Sequence, residues 1–161
     1  LKSATGLVIG DSTVNAGVVT QTLLDIYEKN NKKLTLLGTN GTYPNFHEGR
    51  SGWKSSMYCN KESDGIYKNP FYSNGFDFSY YMAMQDYEKV DFVIIQLGIN
   101  DIRTMTLENY SSRKVISNFE KMISGIRAYD EELPIIIGVT IPPSENIEKF
   151  NITLNILYLN Y

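Results

Sequence analysis

One cysteine, Cys59, and one histidine, His47, are all that 161 residues contain of those two versatile side chains. A lone thiol excludes an internal disulfide, so packing must hold the fold. Nothing near Cys59 supplies the cationic setting of a reactive thiolate, and it reads as an ordinary semi-buried thiol. Basic excess is lacking too: 15 Lys and Arg face 18 Asp and Glu, a net charge of -3, which excludes nucleic acid as a partner. The longest apolar run, Val90 to Leu97, is interrupted by Asp91 and Gln96 and falls far short of the roughly 20 residues of a bilayer span, so no membrane partner is expected. There is no phosphate loop, zinc ligand set or dinucleotide fingerprint; no cofactor or metal is implied. Repeats and linkers are absent, and residues 1–161 read as one domain. What is present is 42% hydrophobic residues, enough for a core without a staple. There are also 12 tyrosines, most of them expected at half-buried positions with a wet hydroxyl end.

Periodicity predicts an α/β order. Gly6-Leu7-Val8-Ile9 is an apolar strand ending at Gly10-Asp11-Ser12, and the helix after it places Val18, Val19, Leu23, Ile26 and Tyr27 on one face. Leu34 to Gly38 is a second strand, spaced for a right-handed crossover and so for a parallel sheet. From Thr39 to about Lys89 the pattern is irregular, rich in Gly, Asn, Ser and Tyr, and reads as functional loops with short unplaced helices. Val90 to Leu97 is a strand buried on both faces, stopping at Gly98-Ile99-Asn100-Asp101. A helix follows behind Ser111 or Ser112 as cap, with Val115, Ile116, Phe119, Met122, Ile123 and Ile126 on its apolar face. Pro134 to Thr140 is a fourth strand. In the last segment Phe150, Leu154, Leu157 and Tyr161 share a helical face while Phe150, Ile152, Leu154 and Ile156 alternate as in a strand; helix is preferred.

In such an open α/β sheet the ligand crevice lies beyond the carboxyl ends of the strands. The segments after strands one and three, Gly10-Asp11-Ser12 and Gly98-Ile99-Asn100-Asp101, then open into one crevice. Acyl transfer needs a hydroxyl nucleophile at a tight turn and donors aimed at the developing oxyanion. Ser12 supplies the first; its own N–H at the start of the following helix and the Asn100 amide supply donors. Taken singly, Asp-Ser is also an ordinary helix cap and Asn-Asp an ordinary turn, and only the pair at two strand ends favours chemistry. Val14 stands where a Gly-x-Ser-x-Gly elbow needs its second glycine, which argues against an α/β-hydrolase.

These residues resemble the SGNH or GDSL-type hydrolases. Gly10-Asp11-Ser12 is similar to the first block of that family and Gly98-Ile99-Asn100-Asp101 to its Gly-x-Asn-Asp block. His47-Glu48-Gly49-Arg50-Ser51-Gly52-Trp53 is similar to the glycine-bearing second block of members acting on carbohydrates. The resemblance implies a flavodoxin-like parallel sheet in a three-layer α/β/α sandwich, and ester hydrolysis. It makes Ser12 the nucleophile and the N–H groups of Ser12 and Gly49 with the Asn100 amide the oxyanion hole, Gly52 being the rival to Gly49. Glycine there would allow close approach of backbone to a ligand oxygen. Trp53 is read as a core plug ahead of a sugar platform.

The family's Asp-x-x-His segment, its general base and orienting acid, has no counterpart here. His47, with Glu48 and Arg50 beside it, reads as a loop histidine packing under the second block and not as the base. A chain shortened at its C-terminus accounts for the missing base and for a missing fifth strand and final helix; the parent is then an esterase and this chain alone is expected to be nearly inert. Such a chain would expose Ile135-Ile136-Ile137 as a sheet edge and self-associate. The preferred substrate is a small-molecule ester, an acetylated carbohydrate, because Tyr43, Tyr58, Tyr67, Tyr72, Tyr80 and Tyr81 with nearby Asn and Ser suit a polyhydroxylated ligand. A small lipid or a thioester comes second. The rivals are a non-catalytic sugar-binding or interaction module on the same fold, and a flavin or nucleotide binder, against which the poor loop Asp11-Ser12-Thr13 argues. Asn40-Gly41-Thr42, Asn109-Tyr110-Ser111 and Asn151-Ile152-Thr153 fit the glycosylation pattern and are read as chance triplets.

Overall fold

Ser3–Gly10 forms strand β1 in the middle of the computed structural model, which describes residues 2–61, 68–103 and 112–138. Leu7 and Ile9 enter one hydrophobic cluster and Ala4 and Val8 another, all four buried, as in a strand covered on both sides. The strand extends past the predicted Gly6 to Ile9 run because Ser3 to Leu7 pairs in parallel with Lys33–Leu37, strand β2.

Between these strands one helix was expected and two are found, α1 at Ser12–Asn15 and α2 at Val18–Lys29. Gly17, at φ +75, makes the break; only glycine enters that region without a Cβ penalty. The buried face of the second helix is rotated from the expected one, although Leu23 and Tyr27 lie on both. Val18 and Ile26, expected on the inner face, are 67% and 50% exposed, while Thr20, Leu23, Leu24 and Tyr27 turn inward. Thr20 tolerates burial because its hydroxyl donates to the Gly17 carbonyl at 3.1 Å.

The region expected to be irregular contains regular structure. Asn40–Thr42 (β3) and Asn45–Gly49 (β4) form an antiparallel hairpin, and Ser55–Cys59 (α3) and Phe78–Met84 (α4) are helices. Polar residues conceal β4 in the sequence, for His47 and Glu48 are both buried in it. Phe92–Gln96 (β5), Ile99–Arg103 (α5), Ser112–Tyr129 (α6) and Ile135–Ile137 (β6) then follow the predicted order. Met122 and Ile126 are buried on α6 and Phe119 packs against the same cluster, but Ile116 is 55% exposed.

β5 pairs with one side of β1 and with β6 beyond; the other side of β1 pairs with β2 along its first half and with β4 at Ile9 and Gly10. All these pairings are parallel, and β3 alone runs against its neighbour. One face of the sheet carries Trp53, Tyr58, Phe71, Phe78 and Tyr81 together with Met122 and Ile126 of α6; the other packs beneath α2. Tyr58 and Tyr81 are fully buried, so neither is the half-wet tyrosine or the sugar contact expected of it, whereas Tyr43 is 85% exposed. The segments holding Tyr67, Ser111, the end of the predicted fourth strand and the predicted last helix, with the triplets at Asn109 and Asn151, lie outside the described residues. Among the described residues no helix is long and apolar enough to cross a membrane.

Candidate active site

Gly10 is aligned with Gly49 on one side and with Gln96 on the other. The chain therefore leaves β1 toward Ser12, β4 at Gly49, and β5 toward Asn100 from three neighbouring strand ends, the edge where open parallel sheets bind ligands. Two of the three connections continue straight into a helical turn.

Ser12 is exposed and opens α1. Asp11, not Ser12, is the cap: its Oδ1 accepts from the Thr13 N–H and from the Thr13 hydroxyl, each at 2.9 Å. The serine hydroxyl is thereby left out of capping. The helix it starts has only four residues, so the dipole invoked from the sequence amounts to a single turn.

Gly49 is buried, and its N–H donates to His47 Nδ1 at 3.1 Å. A Cβ at this position would lie 2.4 Å from the Asn15 nitrogen and 2.7 Å from the Val14 carbonyl carbon. Close approach is thus the reason for glycine, as expected, but what approaches is the backbone of α1. Gly52, its rival, is exposed at φ +78 with nothing within 4 Å of a Cβ. His47 sits in strand β4 instead of a loop, 2% exposed. With Nδ1 accepting, its proton is on Nε2, and burial foremost holds its pKa below the ordinary value, Glu48 opposing and Arg50 assisting.

The Asn100 amide donates to the Trp53 carbonyl at 3.0 Å. Asp101, buried beside it, accepts from the Ser55 N–H at 2.9 Å and the Ser55 hydroxyl at 2.7 Å, and the Asn118 amide donates to that same hydroxyl at 3.0 Å. The Gly-x-Asn-Asp segment therefore grips the stretch from Trp53 to Ser55, a role its sequence does not announce. Asn40 donates its amide to the Gly49 carbonyl at 2.7 Å, so this member of the glycosylation-like triplets is engaged inside the fold.

Beneath the strand ends lies a buried polar cluster that the sequence reading missed. Glu48 and Arg50 form an ion pair, 0% and 3% exposed. Glu48 also accepts from the Thr39 N–H at 2.7 Å and the Tyr81 hydroxyl at 2.9 Å, and Arg50 donates to the Thr39 hydroxyl at 3.1 Å. These bonds commit the Glu48 carboxylate to Thr39, Tyr81 and Arg50. The Tyr58 hydroxyl faces the carbonyls of Gly10, at 2.7 Å, and Glu48. Burial raises the pKa of both tyrosines, keeping them neutral donors. Trp53 is fully buried, edge to face with Tyr58 at 4.8 Å and beneath the Arg50 guanidinium at 5.1 Å, a core plug as read. A glutamate in a strand followed two residues on by an arginine just past its end was the available signal: in extended chain such a pair shares a face, here the inner one.

Cys59 is 6% exposed, its Sγ 3.4 Å from the Asn118 carbonyl, and burial pushes its pKa up to about 11. It is the inert thiol expected. Among the described residues no cluster of His, Cys, Asp and Glu is arranged to hold a metal ion.

No protein-family model matches the chain, and no curated protein matches it. Among solved structures it is similar to an acetyl esterase, a serine-to-alanine mutant with acetate ion, at 17% identity and TM-score 0.49, covering 94% of this chain and 70% of that one. It is also similar to a possible lipase from Chitinophaga pinensis, at 20% identity and TM-score 0.44, covering 83% of this chain and 47% of that one.

Proposed function

We propose that the chain is a serine ester hydrolase domain of the SGNH or GDSL type, a flavodoxin-like three-layer sandwich that removes a short acyl group, foremost acetate from a carbohydrate. The observation that carries this reading is the register of Gly10 with both Gly49 and Gln96, by which the three motif segments leave neighbouring strand ends. In the proposed reaction the Ser12 oxygen attacks the ester carbonyl and passes its proton to a base. The carbonyl oxygen becomes the oxyanion, and its collapse expels the alcohol, which takes up a proton. The acyl-serine is then hydrolysed by water. The N–H groups of Ser12 and Gly49 and the Asn100 amide are the proposed oxyanion donors. Since the Gly49 N–H donates to His47, it must be shared with the imidazole or released by it when the oxyanion forms. The carbohydrate preference now rests on the likeness of the second block, because Tyr58 and Tyr81 are core residues.

A second reading, a non-catalytic module that binds an ester or sugar at the same edge, is favoured by one observation: the only histidine of the sequence is buried with its Nδ1 engaged. Turnover of p-nitrophenyl acetate by wild type, Ser12→Ala and His47→Ala separates the two. Turnover lost in Ser12→Ala supports the hydrolase, and turnover equal in wild type and Ser12→Ala sinks it. Loss in His47→Ala with the fold retained would make that histidine the base. Self-association through the β6 edge remains part of the proposal, with mass by light scattering as its test.

A further inference from the structure

The three proposed site residues lie on three separate connections, and one short helix touches all of those connections. Through Tyr58, α3 reaches the carbonyl of Gly10, two residues before Ser12, and the carbonyl of Glu48, one residue before Gly49. Through Ser55 it is bonded at its other end to Asp101, one residue after Asn100. The helix is itself fastened. The Asn69 amide faces the carbonyls of Met57 and Tyr58 at 3.1 and 2.8 Å, Asn118 holds the Ser55 hydroxyl, and the Tyr58 ring is wedged between Trp53 and Phe71.

Backbone pairing is uneven at these ends: β5 pairs with β1 from Gly6 to Gly10, but the junction with β4 is thin. β4 meets β1 only at Ile9 and Gly10, and the one further backbone bond at that junction runs from the Arg50 N–H to the Gly10 carbonyl at 2.9 Å. An oxyanion hole works only if its donors are held before reaction begins, and an error of about 1 Å is costly. We propose that α3 is a tie-bar that sets the spacing of the connections bearing Ser12, Gly49 and Asn100, with Tyr58 and Asp101 as its two positioning residues. The assignment of those three as site residues rests on the hydrolase reading; the mechanical coupling between the strand ends does not. Every bond in the bar is buried or half-buried, so water competes poorly for it.

Tyr58→Phe and Asp101→Asn test this, each keeping the shape of the side chain, beside Leu34→Ala, a control on the opposite face of the sheet. All are studied where their global stabilities match. The tie-bar predicts crossed effects in backbone amide exchange. Tyr58→Phe should speed exchange at Ile102, after β5, and Asp101→Asn should speed it at Gly49 and Arg50, at and just past the end of β4, each by about tenfold beyond Leu34→Ala. Effects confined to each variant's own end would overturn the proposal. If wild type shows Ser12-dependent ester turnover, both variants should lower kcat about tenfold with KM within about twofold, while Leu34→Ala changes neither; unchanged kcat in both would overturn the positioning role. If wild type shows no such turnover, as the missing Asp-x-x-His counterpart leads one to expect, the exchange experiment alone decides the tie-bar.

Discussion

The strand ends of β1 and β4 and those of β5 and β6 form one edge of the sheet but are built from opposite materials. At the first pair Glu48, Arg50, Tyr58 and Tyr81, all buried, make with the exposed Thr39 a hydrogen-bonded cluster in which each partner is fixed in direction. At the second pair a cleft of about 470 Å³ is lined by Leu97, Ile102, Val115, Phe119, Ile123 and Ile137, nearly all of it hydrocarbon. Ile116, which also lines it, and Ile137 are 55% and 46% exposed, and Ile136 of β6 is 51% exposed. Hydrocarbon contacts have no preferred angle and hydrogen bonds do, so the polar half is suited to holding donors in place and the apolar half tolerates rearrangement.

The largest effect on this contrast should come from Arg50→Ala. It leaves Glu48 buried without its cation and is expected to cost about 3–5 kcal/mol in urea unfolding, where a lysine-like surface pair would cost under about 1 kcal/mol. A loss below about 1 kcal/mol would mean that water enters the cluster and that the two halves are less different than described. Next is Asn100→Ala, at the seam between them. If Asn100 is an oxyanion donor, kcat falls by about 10²–10³ with KM little changed. A rise in KM alone would make it a binding residue.

A smaller effect is the pH response of His47. Its folded pKa is depressed by burial, so the unfolded chain takes up the proton first. The stabilisation from neutral His47 is therefore complete above its ordinary pKa near 6.5 and is lost as pH falls from there to the folded value. Urea midpoints of wild type should decline over that window relative to His47→Gln, whose side chain does not titrate; parallel curves would show that the imidazole is wetter than its burial indicates. Smallest is Ile136→Lys on the apolar side. Stability should change by less than about 0.5 kcal/mol, while light scattering should show less association if the β6 edge pairs with another copy. A loss above about 2 kcal/mol would show that this face is covered in solution.

The order of strands and helices was legible wherever one period dominated. The run Val93-Ile94-Ile95 could only be a buried strand, and α6 followed from its apolar spacing. The hairpin of β3 and β4 was not legible, because Asn-Phe-His-Glu-Gly carries two buried polar residues, and Glu48 among them is satisfied in part by Thr39 and Tyr81 from other segments. The face of α2 was legible only in part: Leu23 and Tyr27 pack inward as expected, but Thr20 and Leu24 complete the buried face in place of Val18 and Ile26, a choice made by the sheet the helix covers.

For the proposed site, the sequence determined that a serine, a glycine and an asparagine stand at or just past strand ends, since residue type and strand period are local properties. Ser12 and Asn100 could be named from those alone. Tertiary structure alone decided that Gly49 is glycine because α1 approaches it, that the Tyr58 hydroxyl meets the Gly10 carbonyl, and that Asp101 accepts from Ser55. These bonds join residues far apart along the chain. A hydrogen bond depends on distance and angle in space, and until the sheet has set its register no neighbouring sequence specifies either.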